Sequence, residues 1–271
     1  MKQLASLTLL VAAALVVRVV GTPAAAPAQP DVDVRTIIDR ALERSAWGQE
    51  QNFAARYRYH MSQRTREFDD DGEATKDERR HYAIEPQRGV PYPTLVTKDG
   101  EPPSGDDAKA EETRWKEFLD ALDDPPDEEG EDEILLVFDN DLIDRFAATL
   151  EGVRELHGRP AFVLSFEPRP GKLPVRRRSD HALNRSRGEI WIDQATYEIA
   201  RVNFELIDRV RVGWGILGSV SDARGHFERR PVGDGQWLAR ELDLYYHTRV
   251  LFRTTRRGET TVWDSFEPIA E

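Results

Sequence analysis

The chain has 271 residues, with 50 acidic and 38 basic side chains, a formal net charge of −12 at pH 7 and no cysteine. This charge argues against general nucleic-acid binding, and the lack of cysteine excludes a disulfide framework, so the burial of apolar surface must stabilise the fold. The length is enough for one sizeable core or two small ones.

The N-terminus has the layout of a secretory signal peptide. Lys2 precedes an apolar run from Leu4 to Val17, and small residues follow. The run is shorter than the roughly 20 residues that a spanning helix needs, and Arg18 interrupts it. No cysteine follows the run, so a lipid anchor is not expected. We therefore predict that residues 1–28 are removed on export and that residues 29–271 form one soluble periplasmic domain.

Two segments carry apolar residues at helical spacing, and they predict helices over residues 33–46 and 106–122. The apolar face of the first consists of Val34, Ile37, Ile38, Ala41 and Leu42. The apolar face of the second consists of Trp115, Phe118, Leu119 and Leu122. The acidic, proline-rich stretch at 123–133 that follows is predicted to be a solvated loop, because nothing in it can be buried.

Most of the remaining chain is typical of strands. A hairpin with its turn at Asp70-Asp71-Gly72 follows the first helix. Further strands are predicted at 133–138, 144–156, 160–167, 188–193, 197–208, 222–231, 236–253 and 259–267. Many strands have one apolar and one polar face, and only two helices are available to cover them. The pattern therefore predicts an antiparallel sheet curled around an apolar interior.

The order of the predicted helices and strands resembles that of a known family. Three stretches contribute to the resemblance: "PTLVTKDGE", "HGRPAFVLSFEPRP" and "GEIWIDQATYEIARVNFEL". The sequence is similar to the LolA/LolB-like periplasmic lipoprotein carriers. In that family a strand ends with Trp, a hydrophobic residue and Asp, and the next strand continues as hydrophobic-x-Arg after a short turn. Trp191, Asp193 and Arg201 match this pattern. Glu85-Pro86 stands where the best-known carriers have the arginine that latches their lid, so that latch is not carried over.

The resemblance implies a mainly β (α+β) fold: an incomplete antiparallel β-barrel of about eleven strands with helices packed in the open side. It also implies an apolar cavity that holds the acyl chain of a lipid or a lipidated protein, with inner- and outer-membrane protein partners and transient membrane contact. Other proteins with this fold are stress sensors that bind regulators. The alternative function is therefore a periplasmic regulator or assembly factor that binds a partner protein.

Two groups of residues are candidates for ligand binding. The first group lies on apolar strand faces and either lines the cavity or packs against the helices: Tyr57, Tyr59, Leu242, Leu244 and Tyr246. The second group lies among glycines in residues 211–220 and forms either a lid that can enter a membrane surface or a buried, bent strand: Trp214, Ile216 and Leu217.

Arg176, Arg177 and Arg178 form a basic run in an acidic chain. Clustered guanidinium groups suit lipid headgroups or an acidic partner, and a solvated loop explains the run equally simply.

The sequence gives no positive reason to propose catalysis. The six histidines show no metal-ligand spacing, and no nucleophile or phosphate-binding motif is present. His60 and His247 could meet across strands, although histidines on a polar face are usually solvated. Loss of a periplasmic activity on substituting such residues would be needed to support an unrecognised hydrolase site. We therefore predict a binding protein with no enzymatic activity, no cofactor and no metal.

Overall fold

The computed structural model describes residues 32–124, 138–176, 179–212, 218–233, 235–250 and 253–269. Its helices are α1 (Val34–Gln51), α2 (Gly105–Asp123) and the single turns α3 (Asn140–Ile143) and α4 (Asp180–Leu183). Its strands are β1 (Tyr57–Phe68), β2 (Ala74–Gln87), β3 (Val90–Lys98), β4 (Phe146–Leu156), β5 (Arg159–Pro168), β6 (Ser186–Asp193), β7 (Ile199–Leu206), β8 (Val210–Val212), β9 (Gly218–Gly233), β10 (Gln236–Val250) and β11 (Arg253–Pro268).

All eleven strands belong to one antiparallel sheet. Their order is β3-β2-β1-β11-β10-β9-β7-β6-β5-β4, and the short β8 pairs with β9 outside this path. Strands β3 and β4 end the order without pairing with each other, so the sheet is open. The predicted fold class, an incomplete antiparallel barrel of about eleven strands with helices against it, is confirmed.

Local backbone geometry explains where the predicted boundaries were wrong. Helix α1 continues past residue 46 to Gln51 and ends because Asn52 takes the left-handed conformation. Strand β7 begins at Ile199, two residues later than predicted, because Tyr197 has a φ of 58° and belongs to the preceding turn. Asp123, predicted as the start of the acidic loop, still belongs to α2, while residues 125–137 lie outside the described residues.

Helix α1 covers one side of the sheet with its apolar face. Its fully buried Ile37 and its Ala41 form a cluster with side chains from three neighbouring strands. The strand members of that cluster are Phe162, Leu164, Ile192, Ile199 and Val202. Below, the side of the sheet that bears this cluster is called the inner face and the opposite side the outer face.

Helix α2 lies against the edge strand β3 and buries much less. The rings of Trp115 and Phe118 lie 4.7 and 4.6 Å from the ring of Tyr92. Lys98 adds an ion pair to Asp107, with 2.8 Å between Nζ and Oδ1. No residue of α2 is fully buried. None of the helices within the described ranges is both long and apolar enough to cross a membrane.

Two glycines let neighbouring strands approach closely. A Cβ atom at Gly188 would lie 1.9 Å from the backbone oxygen of Asn203, and one at Gly225 would lie 2.1 Å from the backbone oxygen of Asp243. Real Cβ atoms cannot occupy these positions, so each site requires glycine. On the inner face, the ring of Phe166 fills the space beside Gly188.

Replacing Gly188 with alanine tests this constraint. We expect Gly188→Ala to lower the free energy of unfolding by about 2 kcal/mol or more, because the strands must separate to admit the methyl group. Urea denaturation measures the change. Gly48→Ala is the control: nothing lies within 4 Å of a Cβ there, and alanine in a helix should raise stability by up to about 1 kcal/mol. Equal stability of Gly188→Ala and the wild type would contradict the account.

Candidate functional site

Apolar side chains of the inner face are aligned across the sheet. Cross-strand register places Leu164, Ile190, Val202, Phe227 and Leu242 opposite one another on β5, β6, β7, β9 and β10. The same register aligns a second row two residues further along: Phe166, Gly188, Phe204, Gly225 and Leu244. Because side chains alternate along a strand, both rows point to the inner face.

Part of this inner face is not buried in the core. Phe204, Phe227, Leu242 and Leu244 are half-buried, and they belong to none of the three hydrophobic clusters found among the described residues. We call these four residues the apolar strip. The strip begins beside the surface that α1 covers and extends over β7, β9 and β10. It is a surface on which an apolar ligand could lie.

Tyr246 continues the strip along β10 into a polar region. Its hydroxyl donates to Glu259 over 2.9 Å, and Arg257 pairs with Glu67 at 2.8 Å. These groups lie beside a cavity of about 350 Å³ that also includes Thr248, Val250, Arg253 and Thr255. Burial, together with the hydrogen bond to Glu259, raises the pKa of Tyr246. The hydrogen bond from Arg257 lowers the pKa of Glu67, so this end is charged at neutral pH.

The residues predicted from the sequence fall in different places. Leu242, Leu244 and Tyr246 lie together on β10. Tyr57 is 7% exposed and packs in a cluster with Phe53 and Leu238, and the ring of Tyr59 stacks on Phe266 at 4.9 Å. The two tyrosines thus pack near Leu238, at the start of β10, and not beside Leu242, Leu244 and Tyr246. The predicted residues Trp214, Ile216 and Leu217 lie outside the described residues.

Sequence reasoning did not select Phe204 and Phe227 as site residues. The signal for Phe204 was present in the alternation of β7, where Val202 and Phe204 lie on one face. Phe227 could be found only from the register, which sets it opposite Val202 and Leu242.

The arginine run is only partly described. Arg176 forms an exposed ion pair with Asp141, and its backbone N–H donates to Asp180 over 2.7 Å. Arg177 and Arg178 lie outside the described residues. Contact of this run with a headgroup or a partner stays a prediction.

His60 and His247 do not meet. His60 lies beside His81, with 5.1 Å between the ring centroids, while His247 pairs in register with Arg256. Within the described ranges, no group of three or more His, Asp or Glu residues is arranged to hold a metal ion.

A buried carboxylate fixes α1 to the sheet. Glu198 is 2% exposed and accepts from Arg44 of α1 at 2.7 Å and from Arg229 of β9 at 2.8 Å. Both arginines also donate to backbone oxygens, Arg44 to Gly235 and Arg229 to Trp237, each at 2.8 Å. Burial lowers the pKa of Arg229 and Glu198 opposes that change. These contacts attach α1 firmly to β7 and β9.

Removing the charge of Glu198 should therefore destabilise the fold. We expect Glu198→Gln to lower the free energy of unfolding by about 3 kcal/mol, because two largely buried guanidinium groups lose their counter-charge. Urea unfolding gives the value. The control Glu205→Gln breaks an exposed ion pair with Arg187 and should cost less than about 0.5 kcal/mol. Similar losses in both variants would show that the buried carboxylate has no special role.

Two more carboxylates are buried near the same end of the sheet. Asp193 accepts from Arg159 at 2.7 Å and from the backbone N–H and the hydroxyl of Thr196, closing the turn between β6 and β7. Glu228 accepts from His157 and Arg230, each at 2.8 Å. Burial alone would raise the pKa of each carboxyl group, but these hydrogen bonds outweigh it and both pKa values lie below their ordinary range.

These lowered pKa values predict how stability depends on pH. A carboxyl group whose pKa is lower in the folded state stabilises the protein above its unfolded pKa, and the contribution is lost as the pH falls through the folded value. The free energy of unfolding should therefore fall as the pH decreases below about 4. Urea titrations between pH 7 and pH 3 measure the slope. Asp193→Asn should reduce it, and Asp208→Asn, at an exposed position, should not. An unchanged slope in Asp193→Asn would refute this assignment.

The fold and the strip together define an open antiparallel half-barrel whose inner face carries an apolar surface that the described residues bury only in part. No protein-family model matches the chain, and no curated protein matches it in sequence. Several solved structures are similar to it. A putative outer membrane lipoprotein-sorting protein domain from Vibrio parahaemolyticus is 11% identical, with 85% of this chain and 93% of that chain covered and a TM-score of 0.35.

Two further solved structures are similar at the same level. A DUF1329 family protein from Desulfovibrio piger is 14% identical over 87% of this chain and 92% of that chain, with a TM-score of 0.32. A LolA superfamily protein from Nitrosomonas europaea is 9% identical over 89% of this chain and 95% of that chain, with a TM-score of 0.27. Proteins of the kind that the sequence resembles are thus among these structures.

Proposed function

We propose that this protein is a non-enzymatic periplasmic carrier that holds the acyl chain of a lipid or a lipidated protein on its inner face. The apolar strip is the observation that carries the proposal: Phe204, Phe227, Leu242 and Leu244 lie on the inner face, only half-buried and outside the clusters of the core. An acyl chain laid on the strip would remove these side chains and its own methylenes from water.

The dimensions of β10 support an acyl chain as the ligand. The inner face of β10 extends about 27 Å from Leu242 to Val250, at about 3.4 Å per residue, with Leu242 and Leu244 of the strip at one end and the polar region around Tyr246 beyond them. An acyl chain in one leaflet of a bilayer spans about 15 Å, half of the hydrocarbon core. Transfer of each methylene from water contributes about 0.8 kcal/mol. Contact of several methylenes with the strip therefore contributes several kcal/mol to binding.

The attachment of the helices supports α2, rather than α1, as the part that moves when a ligand enters. Helix α1 is held by Glu198 and by its buried Ile37, whereas no residue of α2 is fully buried. Contacts that bury little apolar surface open at low free-energy cost. We assign to α2 the role of a cover whose position shifts with ligand binding.

The predicted signal peptide, residues 1–28, supports export to the periplasm. A periplasmic carrier would exchange its cargo with membrane proteins on each side, which agrees with the inner- and outer-membrane partners implied by the resemblance.

Native mass spectrometry of the protein purified from periplasm without detergent tests the proposal. A reproducible adduct of lipid mass that is lost on organic extraction is the expected result, and it would identify the class of ligand. A bare mass, unchanged after incubation with membrane vesicles or a lipidated peptide, would refute the carrier role. A stable protein complex from periplasmic extract that contains no lipid would then favour the regulator alternative.

A polar residue in the strip should weaken acyl binding. We expect Leu244→Asn to lower the affinity for cis-parinaric acid, a fluorescent fatty acid, by about ten-fold, because the side chain loses apolar contact and places an amide against the chain. Fluorescence titration measures the affinity, and thermal unfolding confirms that the variant is folded. Val262→Asn is the matched control, since Val262 lies opposite Glu241 on the outer face. Equal affinity of Leu244→Asn and Val262→Asn would exclude the strip as the binding surface.

A further inference from the structure

A basic cavity lies on the outer face, where strands β8 to β11 run side by side. Its volume is about 450 Å³. Four of its lining residues are arginines: Arg209, Arg211, Arg249 and Arg256. The others are Asp70, Gly218, Ser219, Ser221, His247 and Thr254. The apolar strip contributes none of these residues.

Strand register brings the arginines together. Arg211 of β8 and Arg249 of β10 both lie opposite Ser219 of β9, and directly opposed residues in a sheet are about 5 Å apart. Ser219 is small, so the two long side chains can extend over it from either side. On the other flank of β10, Arg249 faces Thr254 of β11. Small hydroxyl residues thus form the floor of the cavity and arginines its walls.

More positive than negative side chains line this cavity. Among the described residues that line it, Asp70 is the only carboxylate, and it pairs with Arg256 at 3.1 Å. Arg256 also donates to the backbone oxygen of Asp69 over 2.5 Å. Arg209 and Arg211 form no ion pair with any residue in the part of the chain that the structure describes. A local excess of positive charge in a chain of net charge −12 repels itself unless an anion is bound.

We propose that this cavity binds a phosphate group, either as free phosphate or as the headgroup of a phospholipid. A phosphate offers several acceptor oxygens to the planar donors of guanidinium groups, which bind it in a bidentate manner. The hydroxyls of Ser219 and Thr254 supply further donors from the floor, while the hydroxyl of Ser221 donates to the backbone oxygen of His247 over 3.3 Å. The site is independent of acyl binding, because it lies on the opposite face of the sheet from the strip.

Calorimetric titration at low salt tests the site with two soluble probes, inorganic phosphate and glycerol 3-phosphate. Co-sedimentation with phosphatidylglycerol vesicles, compared with phosphatidylcholine vesicles, tests the headgroup. The variant is Arg209→Gln/Arg211→Gln. The control, Arg35→Gln/Arg58→Gln, removes the same two charges at exposed positions elsewhere, so it corrects for the change in net charge.

We expect saturable binding of at least one probe by the wild type, a loss of about ten-fold or more in affinity in Arg209→Gln/Arg211→Gln, and a change of less than about two-fold in the control. Tight binding of inorganic phosphate without binding to vesicles identifies free phosphate as the ligand. Binding to phosphatidylglycerol vesicles that exceeds binding of the soluble probes identifies the headgroup.

Two results would overturn the proposal: no binding of any probe by the wild type, or equal binding by the two double variants. Leu244→Asn separates this site from the proposed carrier role. It should bind phosphate as the wild type does while losing affinity for the fatty acid, so either proposal can fail while the other stands.

Discussion

The structure depends on one constraint: the apolar inner face of an eleven-stranded open sheet must be removed from water, and α1 covers only part of that face. An apolar strand face exposed to water is unfavourable, and in an antiparallel sheet it is usually packed on a core. Helix α1 satisfies this requirement over β5, β6 and β7, where Ile37 and Leu164 are fully buried. Helix α2 is placed at the other edge, against Tyr92 of β3. The strip on β7, β9 and β10 lies outside the clusters of buried residues found in the described ranges.

The distribution of charge along the sheet follows from the same constraint. Buried carboxylates occur where elements must be joined: Glu198 joins α1 to the sheet, Asp193 closes the turn between β6 and β7, and Glu228 binds His157 and Arg230. Each has basic or N–H partners, which is what burial of a charge requires. In the cavity beside β8 to β11 the ratio of charges differs, because there arginines outnumber carboxylates. The buried carboxylates and their partners hold the protein together, and the arginines of the cavity form the proposed anion site.

The apolar strip on one face and the basic cavity on the other suit two different ligand chemistries. The proposed acyl binding would use the hydrophobic effect, which is non-directional and tolerates different chains. The proposed phosphate binding would use guanidinium hydrogen bonds, which are directional and sensitive to salt. A carrier with both could hold a chain while another part of the molecule contacts an anionic surface.

The sequence by itself determined the mainly antiparallel β character of the chain, the two long helices and the faces of the strands, whereas the incomplete barrel was implied by the family resemblance. The helices and the strand faces depend on periodicity within single segments: Val34 to Leu42 repeat at helical spacing, and Leu242, Leu244 and Tyr246 alternate with polar residues. Only the tertiary structure decided which segments meet. It placed Tyr57 in the core, put Phe227 beside Leu242, joined Arg44 to Glu198 and gathered Arg209, Arg211 and Arg249 around Ser219. The physical reason is that strand order and register are set by long-range pairing, in which β1 lies beside β11 and β7 beside β9, and no local pattern in the sequence encodes that pairing.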